Sequence, residues 1–304
     1  GRLYLFPILN VYILIMKQFI EKSFFFGFCV VAILALLAFT VPVKSDSYLC
    51  AYNAKCRLLE KTSSPRIIFV GGSNVAFGLD CKRMKDSLHV NVVNTGLHAG
   101  IGLKYMVDDI ALYARKGVII AFAPEYAHFY GNMAGGPETI AGLMSVTGFK
   151  KAGLLNTAQW INVIKGLPSD VGTRIMLQKK SPRVYKASNF NEYGDEVKHW
   201  SLPNVPVGKP TRMKEAMNVT MSKYFVDRLR EMQMQCQVIV IPPAYRQTAY
   251  DFHNKEVQEV AAFLEHEGIP FAVSTQKCVL PDDCAYDSDY HINKKGVDRR
   301  TTMI

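Results

Sequence analysis

Two stretches near opposite ends of the chain hold residue types able to do nucleophilic chemistry. The first is Val70-Gly71-Gly72-Ser73-Asn74. It follows Arg66–Val70, a β-branched run after Pro65 that reads as a short buried strand. A serine directly after two glycines sits where a tight turn can expose its hydroxyl. The glycines also let backbone N–H groups approach an oxyanion. The plainer alternative is a turn serine, or the N-cap of the next helix. The second stretch is Tyr286-Asp287-Ser288-Asp289-Tyr290-His291. An aspartate shortly before a histidine can orient the imidazole and stabilise its protonated form. The histidine can then take the proton of a serine hydroxyl. By itself an acidic cluster with one histidine reads as a solvated loop. Its pairing with a post-strand Gly-Gly-Ser makes Ser73, His291 and either Asp287 or Asp289 the candidate constellation.

These residues need elements to bring them together, and the sequence predicts an alternating set. Val90–Val93 reads as a second strand, ending in Asn94-Thr95-Gly96. Leu103, Met106, Val107, Ile110 and Ala114 mark one face of an amphipathic helix. Val118–Phe122, Gln237–Ile241 and Ile269–Val273 read as further strands, with a helical face at Val257, Val260, Ala261 and Leu264 before the last. Strand-helix alternation predicts an α/β fold with a parallel sheet and right-handed crossovers. Ligands of such sheets collect at the carboxyl ends of the strands. Residues 131–233 break the rhythm and read as a mostly helical insertion, a cap or lid beside that edge or a partner-binding surface.

Three familiar nucleotide or hydrolase motifs are missing from the sequence. There is no GxxxxGK[ST], no GxSxG, and Gly96, Gly100 and Gly102 are spaced as GxxxGxG rather than GxGxxG. No CxxC or His-Cys spacing points to a metal. Cys278 and Cys284 are close enough to clip a short loop. His98 reads more readily as a packing histidine at a helix start than as a site residue. His128 and Tyr126, after the third strand, can line a pocket. Tyr245 and Arg246, after the fourth, can contact an anionic or carbohydrate group.

At VGGSN, NVVNTG and DSDYH the chain resembles the SGNH (GDSL-like) hydrolase superfamily. The resemblance covers the order of elements over roughly residues 65–296. It implies a three-layer, flavodoxin-like sheet of about five parallel strands. It also implies Ser73 as nucleophile, His291 as general base, and Asp287 or Asp289 as its orienting acid. The oxyanion donors would be the Ser73 and Gly96 N–H groups. Two departures stand out. The third strand is followed by Ala123-Pro124-Glu125-Tyr126, where the family carries an Asn that completes the oxyanion hole. Asn74 or Asn94 are the substitutes within reach in sequence, and Glu125, Tyr126, His128 and Tyr245 the expected pocket. One lost donor costs about 10²–10³ in rate. The family's Asp also commonly stands three residues before the His, where this chain has Ser288. The likeness is greatest to membrane-anchored members of cell-envelope polysaccharide pathways, O-acyl esterases or acyltransferases that work beside a multi-pass acyltransferase. It implies an acyl-ester glycan substrate and no metal or organic cofactor. The two departures also admit a catalytically silent module that binds polysaccharide or scaffolds a membrane acyltransferase.

Composition fits a tethered protein. The 304 residues are 49% hydrophobic and 20% charged, with seven cysteines and a net charge of +10. That excludes a disordered chain and a disulfide-stapled miniprotein. A mean hydropathy of +0.05 excludes a chain held mostly in lipid. Phe24–Val43 gives twenty positions without a charge, about 30 Å of helix, enough to cross a bilayer core. The run is longer than the apolar region of a cleaved signal peptide, and VPVKSDSYL offers no clear cleavage site. Residues 16–43 therefore read as a membrane anchor and 44–64 as a linker or helix. Residues 65–304 read as the α/β domain. Residues 1–15 read as upstream read-through ahead of Met16, or as an extra apolar segment. Lys17 and Lys22 ahead of the anchor predict a cytoplasmic N-terminus and an exported domain. Arg2, Lys17 and Lys22 against Glu21 leave +8 of the charge beyond the anchor, facing an anionic membrane or envelope polymer. No nucleic-acid-binding motif accompanies that charge, and export argues against such a partner.

Overall fold

The computed structural model describes residues 5–131, 133–176, 183–213 and 215–304. It begins with one long helix, α1 (Leu5–Thr40), which runs unbroken through Met16, so nothing in the backbone marks the boundary expected there. Within it, Tyr12–Thr40 is long and apolar enough to cross a membrane, with a mean hydropathy of 2.5 and almost no burial. A short helix, α2 (Ala51–Lys61), then leads into the α/β domain.

Four parallel strands form the main sheet: β1 (Arg66–Gly71), β2 (Asn91–Asn94), β3 (Val118–Ala123) and β4 (Gln237–Val240), in the order β2-β1-β3-β4. Their side chains alternate between two cores, as a strand buried on both faces requires. Ile68 and Val70 of β1 and Val118, Ile120 and Phe122 of β3 face the larger core. Phe69, Ala121 and Ala123 face the smaller one. Between β1 and β2 lie α3 (Ser73–Ala76) and α4 (Cys81–Leu88), and α5 (Leu103–Ala111) connects β2 to β3.

The expected five-stranded layout is not formed. At Ile269–Val273 only Phe271 bridges β4, with the Ala272 N–H donating to the Val240 carbonyl at 2.7 Å. Pro270 has no N–H to give to a ladder, which explains why the run stops at a single bridge. A separate two-stranded parallel ribbon joins β5 (Tyr245–Arg246) to β6 (Val279–Leu280).

The region between β3 and β4 contains α6 (Pro137–Thr147) and α7 (Thr157–Ile175), which pack on each other, and α8 (Val219–Gln233). That matches a mostly helical stretch, but α8 belongs to the sheet rather than to an insertion. Its Phe225, Val226 and Leu229 are buried in the larger core, with the Phe225 ring edge-on to Phe122 at 5.5 Å. Three helices follow: α9 (Gln247–Phe252), α10 (Asn254–His266) and, at the C-terminus, α11 (Lys294–Met303). All seven cysteines are free, and Cys278 and Cys284 are both buried thiols.

Candidate functional site

The parallel register aligns the carboxyl ends of the strands. Gly71 of β1 lies opposite Ala123 of β3, and β2 ends at Asn94 beside Phe69. Ser73, Gly96 and Glu125 each stand two residues past the end of their strand, so one edge collects all three. This edge spans the point where the chain turns from β1 to both neighbours, the usual crevice of an open α/β sheet.

Ser73 opens α3, and Gly72 before it has no room for a side chain. A Cβ there would lie 2.6 Å from Glu125 Oε1 and 2.9 Å from the Ala99 Cα. The Ser73 hydroxyl donates to Glu125 Oε1 at 3.3 Å, and the Asn74 N–H donates to the same oxygen at 3.2 Å. Glu125 is buried. Its own N–H donates to His128 Nδ1 at 3.0 Å, which leaves the His128 proton on Nε2, facing the Ala99 carbonyl at 3.0 Å. Burial pushes the His128 imidazole below its ordinary value. His128 is thus a neutral brace for Glu125.

His291 sits in a loop closed by two of its own bonds. The Tyr286 N–H donates to the His291 carbonyl at 2.8 Å, and the His291 N–H donates to Ser288 Oγ at 3.1 Å. Ser288, at the position where an acid was the more usual expectation, therefore shapes the turn. Asp287 Oδ1 accepts from His291 Nδ1 at 2.6 Å, and the Tyr185 hydroxyl donates to the other Asp287 oxygen. Burial works against ionising Asp287, but the hydrogen bond and charge of His291 and the Tyr185 hydroxyl outweigh it and hold the carboxyl below its ordinary value. Asp289 turns away. It receives Arg246 Nε at 2.9 Å, and the two residues also pair through their backbones. The His291 ring stacks on Phe77 at 4.3 Å and 10°, one turn beyond Ser73. Its Nε2 makes no hydrogen bond among the described residues.

The donors expected for an oxyanion are engaged elsewhere, with one exception. Gly96 N–H donates to Asn94 Oδ1 at 2.8 Å. Asn94 Nδ2 donates to the Val75 carbonyl at 2.9 Å and to Asp195 at 2.8 Å. Asn74 Nδ2 donates to the Ala123 carbonyl at 3.0 Å. Short amide side chains after a strand turn back to satisfy nearby backbone, which takes them from a ligand. The Ser73 N–H makes no hydrogen bond among the described residues. Tyr126 and Tyr245 are buried edge-to-face at 5.4 Å, and the Tyr245 hydroxyl pairs with His253 at 2.7 Å, so both are core residues. His98 caps a short turn through Nδ1 at 2.9 Å from the Gly100 N–H. Burial lowers its basicity, against the opposing pull of the Glu125 carboxyl.

Comparison with family models, with curated proteins and with solved structures gives no match for this chain.

The site therefore rests on its own geometry, and several of its supports carry no local sequence signal. Arg300, fully buried on α11, donates to the Asn74 carbonyl at 2.7 Å. Burial lowers its pKa to about 10. The segment Asp195–His199 forms a second layer. Asp195 accepts from the Cys81 N–H at 2.9 Å, and the Glu196 N–H donates to the Ala76 carbonyl at 2.9 Å. His199 pairs with Glu196, bonds the Ile292 carbonyl at 2.9 Å, and lies 4.8 Å from the Phe77 ring, tilted by 39°. Only the polar aromatic composition of 188–200 set this segment apart in the sequence.

Proposed function

We propose that this protein is a membrane-anchored serine ester hydrolase or O-acyltransferase of the SGNH type, acting on acyl esters of cell-envelope polysaccharide. One observation carries the reading: a serine two residues past β1 shares a helix turn with Phe77, and Phe77 lies flat against a histidine whose Nδ1 is held by Asp287. The sheet order β2-β1-β3-β4 matches the first four strands of flavodoxin-like sheets and supports the same assignment. The glycan and the multi-pass acyltransferase partner come from the sequence resemblance, and an exported domain from the positive-inside rule.

In this reading the Ser73 hydroxyl rotates from Glu125 toward His291 Nε2. Its oxygen attacks the ester carbonyl while His291 takes the proton. Asp287, ionised at neutral pH, stabilises the imidazolium. The tetrahedral intermediate collapses, the alcohol leaves with the proton from His291, and an acyl-Ser73 ester remains. Water or a sugar hydroxyl, deprotonated by His291, then attacks the acyl carbon, and His291 returns the proton to Ser73 Oγ as the acyl–serine bond breaks. The Ser73 N–H is the donor free to meet the oxyanion.

Ser73→Ala should lower acetate release from O-acetylated envelope polysaccharide by about 10³-fold or more and abolish fluorophosphonate labelling. Equal rates for variant and wild type would sink the enzyme reading. A second reading is favoured by Glu125, whose carboxylate stands where an oxyanion donor would be needed. It makes the chain a silent glycan-binding or scaffolding module. Wild type that neither labels nor releases acetate, yet is retained on immobilised polysaccharide, would select it.

A further inference from the structure

Helix α7 carries an apolar stripe. Trp160, Ile164, Leu167, Val171 and Ile175 fall at i, i+4, i+7, i+11 and i+15, one face of a 3.6-residue period. The middle of the stripe is covered by the membrane-crossing helix: Leu167 and Val171 are buried with Ala38, against Leu34 and Leu37. Arg174 secures the contact by donating to the carbonyls of Ala38 at 2.9 Å and Val41 at 2.6 Å, groups that a helix end leaves without partners. A ladder of rings extends the junction, with Phe149 lying 4.8 Å from Phe39 and 6.4 Å from Trp160.

The two ends of the stripe are bare. Trp160 is 38% exposed, Ile164 44% and Ile175 59%, with Ile161 beside them at 47%. Their depth is set by what α7 holds. Leu34 lies six residues before the end of α1, about 9 Å along its axis. α7 therefore grips the last two turns of the segment that crosses the bilayer. An apolar stripe continuous with the lipid-facing surface of α1 and fixed at that depth meets the boundary between headgroups and acyl chains. Amphipathic helices and tryptophans settle at that depth. Lys165, exposed on the flank of α7, can reach the headgroups.

We infer that α7 lies in the interfacial layer of the same bilayer that α1 crosses, with Trp160, Ile161, Ile164 and Ile175 immersed beside the acyl chains. This placement orients the rest of the molecule. A cleft of about 630 Å³ runs from Val43 and Lys44, just past α1, to His98 and Tyr185 beside the Asp287–His291 pair. With α7 seated in the bilayer, the mouth of that cleft opens at headgroup level. The inference rests on α1 crossing a membrane and is independent of the esterase reading.

The chain has two tryptophans, Trp160 and Trp200. The full-length Trp200→Phe variant is placed in phosphatidylcholine nanodiscs whose acyl chains carry bromine near the glycerol. Trp160 emission should fall by roughly twofold or more relative to unbrominated lipid, and less with bromine near the chain ends. As a check that needs no change at Trp200, wild type should show the same quenched component and Trp160→Phe should lose it. Undiminished Trp160 emission in both brominated lipids overturns the inference, including the case where a protein partner rather than lipid covers the stripe.

Discussion

At the residue scale the decisive side chain is Glu125. It is buried, receives the Ser73 hydroxyl and the Asn74 N–H, and is held in place by His128. A carboxylate there repels the negative charge that an ester carbonyl develops on attack, while a neutral donor would stabilise it. Glu125→Gln keeps an acceptor for the Ser73 and Asn74 hydrogens and supplies an amide N–H₂ as donor. If Ser73 is the nucleophile, this variant should turn over p-nitrophenyl acetate about tenfold faster than wild type at neutral pH. A rate at or below wild type would show that the Glu125 carboxylate takes part in the chemistry or holds the serine in place. Part of this neighbourhood was legible from spacing. Asp287 and Asp289 were the two acids left open ahead of His291, and the folded loop sends one to His291 and the other to Arg246. Tyr185, which completes the Asp287 shell from 102 residues away, was not legible, since no local pattern encodes so distant a contact.

At the scale of elements, the C-terminal helix locks the turn that carries Ser73. Arg300 reaches from α11 to the Asn74 carbonyl through a gap that exists because residue 78 is glycine. A Cβ at Gly78 would overlap both the Asn74 carbonyl oxygen and the Arg300 guanidinium. The carbonyl is backbone and cannot swing aside. Gly78→Ala should therefore cost about 2–4 kcal/mol, as overpacking that also breaks a buried hydrogen bond does. Chemical denaturation of the full chain in detergent gives the number, and a change below about 0.5 kcal/mol would mean that α3 and α11 are not locked together. The four strands of the main sheet were readable because each is a short β-branched run between turn residues. The fifth was misread because hydrophobicity outweighed Pro270, which withholds the N–H a ladder needs. The polar segment at 195–199 looked like part of a lid. In the fold the Asp195 carboxylate, the Glu196 N–H and the His199 ring are drawn under the site by the Cys81 N–H of α4 and the Ala76 and Ile292 carbonyls, a demand that exists only once those elements are packed.

At the scale of the whole molecule, α2, which follows α1, is tied to the sheet through a buried lysine. Lys55 is 2% exposed. Its ammonium donates to the carbonyls of Asn94, at 3.0 Å, and Gly194, and lies 4.4 Å from the Phe190 ring. Burial drives its pKa down to about 7, with the Asp195 and Cys81 charges opposing only in part. An unfolded lysine titrates near 10.4, so between about pH 7 and 8.5 the unfolded chain holds this proton and the folded one releases it. The unfolded state then binds more protons, and the Lys55 contribution to stability rises with pH through that window. Below pH 7 both states are protonated and the contribution is flat. Two neighbours titrate with the opposite sign. Burial raises the Asp195 carboxyl, so its contribution falls as pH climbs from its ordinary value near 3.8. Burial likewise raises the Cys81 thiol, whose contribution falls once unfolded thiols ionise near pH 9. Both contributions fall with pH, so neither can produce a rise, and comparison with Lys55→Met shows whether the lysine does. Unfolding free energies of wild type and variant, measured in detergent from pH 6 to 8.5, should run parallel up to about pH 7. Above it they should diverge, with wild type gaining on the variant. Parallel curves throughout would mean that Lys55 stays charged in the folded protein, its ammonium stabilised by the two carbonyls and the Phe190 ring more strongly than burial destabilises it.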